Sequence, residues 1–298
     1  MPSIISNLCN SAISALRANA VVLLFLCLLL GVNSLWAGTP KAGGGYELLK
    51  SIPLTANLMT TDFLKNVYVV DEQNKLTKYD SLGNVVASYS DSKYGRLTAV
   101  DASSPFNVLL FYKDYNTIVT TDMKLNVKRL FKLSSLANNP INNAPVACMS
   151  YDNYIWVYDA DASRLKKIDH NYQVIYQSLD LRNILGEAVS PSFLLERDGL
   201  IYMNIPKMGI VMFDIYGTYY SSVSNTDLNK DDLAVFQVVQ QKIVYFADKS
   251  LFVYDILDRM PEAVNLPVAT SPKDVKVEKG RIYVLTDDKL MIYSQKNN

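Results

Sequence analysis

Val67-Tyr68-Val69-Val70-Asp71, then a polar turn, then Leu76-Thr77-Lys78-Tyr79-Asp80 running into Ser81-Leu82-Gly83-Asn84-Val85, is the stretch that decides the fold. The first run is apolar at nearly every position, which suits a strand buried on both faces. The second run is strand-like and ends on an Asp, whose carboxylate can accept backbone N–H bonds and open a tight turn. Gly83, three residues later, tolerates the left-handed backbone that such a turn needs.

The same order of features recurs at 108–112 with 118–122, 155–159 with 165–169, 201–205 with 210–214, 243–247 with 251–255, and 282–286 with 290–294. The apolar runs begin at 67, 108, 155, 201, 243 and 282, in steps of 41, 47, 46, 42 and 39 residues. That period matches the ~40–45 residues of a four-stranded propeller blade. Asp recurs at 80, 122, 169, 214 and 255 as a turn opener, with Gly217 and Asn126 near the place of Gly83. The only helix expected is a short one near Leu179 to Leu185.

The sixth copy lacks a following strand, since only Ser294 to Asn298 come after Tyr293. Tyr46-Glu47-Leu48-Leu49-Lys50-Ser51-Ile52-Pro53 is an unassigned strand ahead of the first copy. It is expected to complete the last blade and close the ring, with Leu48, Leu49 or Ile52 entering the core. Residues 46–298 are therefore expected to form an all-β, six-bladed β-propeller of four-stranded blades.

The blades resemble those of the six-bladed NHL and TolB-like propellers and of quinoprotein-like propellers, through the strand–turn–strand ending in Tyr79 to Val85. The overall style is similar to that of uncharacterised envelope propellers of Bacteroidota. The resemblance spans the repeats and is generic in its motifs. Quinoprotein enzymes carry a Trp-docking motif in many blades. Here only Trp156 lies beyond the first 37 residues, inside an apolar run, so no cofactor is implied.

Residues 1–37 differ from the rest. Arg17 is their one charge, and the apolar run from Ala20 to Leu30 is shorter than the ~20 residues that span a bilayer. Small and polar residues follow, up to Ala37. This pattern reads as a secretory signal peptide over 1–37, with 38–45 as a Gly-rich linker. The rival reading is an uncleaved anchor. Cys27 lies within the apolar run rather than after it, which argues against lipidation. Removing Arg17 leaves 28 basic residues against 29 acidic, a net of −1. The expected location is exported: periplasmic or associated with the outer membrane, with no membrane insertion after cleavage.

Composition narrows the chemistry. Hydrophobic residues make up 49% and charged residues 19%, which supports a large core. The formal charge of zero gives no basic footprint for nucleic acid. His170 is the sole histidine, in the turn after Asp169, so a Ser-His-Asp triad or a His-rich metal site has no other member to draw on. Cys9 and Cys27 fall in the signal segment, leaving Cys148, in a first strand, as a small buried residue.

Acids in loops at one channel mouth, Asp71, Asp114, Asp159, Asp248 and Asp287, are candidates to ring a cation or small ligand with oxygen atoms; the rival reading is solvated hairpin residues. The long inter-blade loop carrying Asn138, Asn139, Asn142 and Asn143, and Tyr219 within the cluster Tyr216, Tyr219 and Tyr220, are candidate partner contacts. The expectation is a non-catalytic scaffold of the bacterial cell envelope. It would bind another envelope protein through a propeller face, as a monomer or within a hetero-complex. The alternatives are a hydrolase or lyase using acids at the channel mouth, such as Asp71, Asp159 and Asp287, and a metal- or small-ligand-binding module.

Overall fold

Short β-branched and aromatic runs, broken by Asp-, Asn- and Gly-bearing turns, give antiparallel hairpins rather than helices. A computed structural model describes residues 45–230, 233, 235–266 and 272–296. The signal-peptide reading of 1–37 and all of the linker except Gly45 lie outside these. The first strand, β1 (Tyr46–Pro53), precedes blade 1, which holds β2 (Ala56–Thr61), β3 (Val67–Asp71), β4 (Lys75–Tyr79) and β5 (Val85–Ser90). Blade 2 holds β6 (Ala99–Asp101), β7 (Val108–Tyr112), β8 (Thr117–Thr121) and β9 (Val127–Lys132). Blade 3 holds β10 (Ala147–Met149), β11 (Ile155–Asp159), β12 (Arg164–Ile168) and β13 (Val174–Gln177), followed by helix α1 (Leu181–Leu185). Blade 4 holds β14 (Phe193–Arg197), β15 (Leu200–Ile205), β16 (Gly209–Asp214) and β17 (Tyr219–Ser224). Blade 5 holds β18 (Phe236–Val239), β19 (Lys242–Ala247), β20 (Ser250–Asp255) and β21 (Met260–Val264). Blade 6 holds β22 (Asp274–Glu278), β23 (Arg281–Leu285) and β24 (Lys289–Gln295), and its fourth strand is β1.

The apolar runs are the second strands, and both of their faces are buried. Leu109 and Phe111 of β7 pack toward blade 3, whereas Val108, Leu110 and Tyr112 pack toward blade 1. Six such clusters each join two consecutive blades. The last sets Tyr283 and Ile292 of blade 6 against Val67 and Val69 of blade 1, so the blades form a closed ring. The fold is a six-bladed β-propeller.

Closure follows the expected strand. β1 pairs antiparallel with β24, from Tyr46 opposite Gln295 to Pro53 opposite Lys289, with a bulge between Leu48 and Lys50. The core contribution differs from expectation: Leu48 is 52% exposed and Leu49 38%. β1 is an outer strand, and it buries only Ile52 and Tyr46 in part. The strand therefore holds mainly through its ladder.

The Asp row behaves as turn chemistry demands. Asp80 accepts from the amides of Leu82 and Asn84, Asp122 from Lys124 and Asn126, Asp169 from Asn171 and Gln173, and Asp214 from Tyr216 and Thr218. In blade 2 the left-handed residue is Leu125 (φ 61°), not Asn126. Asn126 instead donates its side-chain amide to Asp122 Oδ2 at 3.0 Å.

The long loop between blades 2 and 3 is anchored rather than free. Leu133, Leu136, Ile141 and Ala144 are buried between these blades. Helix α1 is capped by Asp180, which accepts from the Arg182 amide, and it ends at Gly186 in the left-handed region.

Candidate binding site

The six inner strands surround a channel of about 540 Å³. Alternation decides what faces it. In β14, Leu194 and Glu196 are buried against neighbouring strands, while Phe193, Leu195 and Arg197 line the channel with partial exposure. Blades 5 and 6 supply the matching positions. Val239 and Glu278 close their strands as Arg197 closes β14, each directly before a two-residue hairpin. One step inward, Gln237 bridges three blades: its Oε1 accepts from the Val277 amide and its Nε2 donates to Thr61 Oγ1. Lys276 is paired with Asp274 at 3.0 Å on the same wall. Burial pushes the Glu278 carboxyl above its ordinary range, with Arg197, Lys279 and Lys65 pulling against it.

The five candidate acids do not converge on this channel. Each is engaged locally or stands apart, at hairpins of five different blades. Asp71 accepts from the amides of Gln73 and Lys75 and lines a separate cleft of about 390 Å³ beside blade 2. Asp114 accepts from the Arg96 amide. Asp159 is buried and paired with Lys166 at 2.7 Å. Asp248 pairs with Lys230 at 3.1 Å near the surface. Asp287 is exposed. Among the described residues, no group of three or more His, Cys, Asp or Glu side chains is placed to hold a metal ion.

The asparagine loop is tied to its surroundings. Asn138 donates to Gln173 Oε1, the Asn142 carbonyl accepts from the Asn116 side chain, and Asn143 donates to Asp161 at 3.3 Å. Asn139 is exposed beside them. Tyr219 is one of several exposed tyrosines on the outer strands of blades 3 and 4. Tyr176 of blade 3 meets Tyr216 of blade 4 edge-on, with centroids 5.7 Å apart, and Tyr219 meets Phe213 at 6.3 Å. Tyr220 is 62% exposed, and Ile175 is exposed on β13.

His170 sits in the outer turn of blade 3, edge-on to Tyr154 at 4.9 Å and accepting from Arg129. Burial first, then the Arg129 charge, holds its pKa below the ordinary histidine value. Cys148 is fully buried against Trp156, and burial pushes its thiol pKa well up, away from thiolate chemistry.

The chain folds like virginiamycin B lyase. The selenomethionine-substituted enzyme from Staphylococcus aureus superposes with a TM-score of 0.57 at 13% identity, covering 84% of this chain and 99% of that one. A streptogramin B lyase gives 0.58 at 12%, over 85% and 98%. The WD40 domain of Pan2 from Neurospora crassa gives 0.54 at 9%, over 87% and 98%. At these identities the likeness is one of fold, and it supports the propeller without choosing a function. No protein-family model matches the chain, and no curated protein matches it.

Sequence reasoning passed over Arg197, Glu278 and the buried Glu196. The available signal was the run Phe193-Leu194-Leu195-Glu196-Arg197, an acid and a base closing an otherwise apolar strand. Glu196 joins blade 4 to blade 3, accepting from Ser150 Oγ, the Tyr151 amide and Trp156 Nε1. Lys167, almost fully buried, pairs with Asp152 at 2.7 Å and lies over the Trp156 ring.

Proposed function

We propose that this chain is an exported, non-catalytic scaffold of the bacterial envelope that binds another protein through the outer rim of blades 3 and 4. The observation that carries the reading is the edge-on contact between exposed Tyr176 of blade 3 and exposed Tyr216 of blade 4, with Tyr219 and Tyr220 exposed on the strand that follows. Tyrosine offers a large rigid contact area at low entropic cost, and it is enriched where protein surfaces bind. The leader-like segment of residues 1–37 supports export. The placement among envelope propellers of Bacteroidota, of the NHL or TolB-like kind, belongs to the same proposal. The dispersed acids and the outer position of His170 favour a binding role over a hydrolase or lyase centre.

A photo-crosslinking residue in place of Tyr220, in the exporting host, tests this. It should capture one envelope protein, while the same residue in place of the exposed Tyr115 on blade 2 should not. Equal capture from both positions, or none from Tyr220, would count against the reading.

A further inference from the structure

Arg197 and Glu278 occupy equivalent places on blades 4 and 6. Each is the last residue of an inner strand, and each lines the same channel, on either side of Val239. Among the described residues, neither side chain makes a hydrogen bond or ion pair. The other charges of that wall are taken, because Lys276 is held by Asp274 and the buried Asp62 accepts from Leu64, Asn66 and Tyr68. An unpaired cation and an unpaired anion thus face one cavity without satisfying each other. Above them the blade 4 wall turns apolar, through Leu195 and Phe193.

We propose that this end of the channel binds a small zwitterion with an apolar body, of the amino-acid or short-peptide class. Its carboxylate is taken by the Arg197 guanidinium, whose planar fork suits two parallel N–H···O bonds. Its ammonium donates to the Glu278 carboxylate, and its apolar side chain lies along Leu195 and Phe193. The cavity volume, about 540 Å³, is in the range of small-molecule sites. The elevated pKa of Glu278, caused by burial, fits a carboxylate short of the partner that a ligand ammonium supplies. This site is separate from the exposed tyrosines of blades 3 and 4 and does not depend on them.

Calorimetric titration of the purified protein with L-phenylalanine and with L-leucyl-L-phenylalanine tests the proposal. At least one probe should bind with saturation. Acetylating its amine or amidating its carboxylate should weaken binding by roughly tenfold or more, as expected for losing a charge-assisted hydrogen bond. Arg197→Gln should abolish discrimination against the amide, and Glu278→Gln should abolish discrimination against the acetylated form. No binding of either probe, or equal affinity for free and capped forms, would overturn the proposal. The capped probes act on the wild-type protein, so the result stands even if a variant fails to fold.

Discussion

Asp122 accepts three hydrogen bonds from its own turn, two from backbone amides and one from the Asn126 side chain. The Asn126 side-chain bond first, with the amide bonds behind it, holds its carboxyl below the ordinary carboxylate range. A carboxylate depressed in the folded state stabilises above its unfolded pKa of ~3.9 and loses that contribution as pH falls through the folded value. Asp122→Asn should therefore melt lower than wild type at pH 7, and the gap should close as pH is lowered below about 4. A gap unchanged by pH would show that the charge is not what the turn uses. Glu196 carries more. Glu196→Ala leaves the Trp156 N–H and the Ser150 hydroxyl buried without their acceptor, at a cost on the order of 3 kcal/mol in urea unfolding. A loss below ~0.5 kcal/mol would mean that the acceptor is dispensable. Turn residues of this kind were legible because Asx chemistry is local. Asn126 was misread by one position: like Asn84 it stands four residues after the turn Asp and donates its side-chain amide to it, while Leu125 takes the left-handed place held by Gly83 and Gly217. Arg197 and Glu278 were not legible, because nothing in their spacing says that two strand ends 81 positions apart line one cavity.

Strands were read well where burial on both faces makes every residue apolar. The second strands begin at 67, 108, 155, 200, 242 and 281, within one residue of the sequence reading. β1 was placed at its observed bounds, but its side chains were credited with too much. An outer strand presents one face to water, so Leu48 and Leu49 say little about the core. The ladder with β24 closes the ring and removes an exposed sheet edge. Leu48→Ser should change stability by less than about 0.5 kcal/mol. Deleting residues 46–53 should lower the melting temperature by roughly 5–10 °C, since ~2–4 °C accompanies each kcal/mol in a domain of this size. An unchanged melting temperature on deletion would mean that the ring is closed by other means.

At the scale of the whole molecule, six inter-blade clusters make a rigid ring, and rigidity is what a recognition surface needs. Function was the least legible part, because a propeller hosts enzymes and scaffolds alike and the deciding features lie in which side chains meet on its surface. The tyrosines of 216–220 were visible as a cluster, yet their partner Tyr176 comes from the preceding blade, and only the ring brings it alongside. The most direct measurement is the native mass of the protein purified from exporting cells, set beside that of the triple variant Tyr176→Ser, Tyr216→Ser and Tyr220→Ser. The account predicts a wild-type complex with one partner at fixed stoichiometry, and a triple variant that runs alone with an unchanged melting temperature. A wild-type protein that runs alone, or a triple variant that keeps its partner, would contradict it.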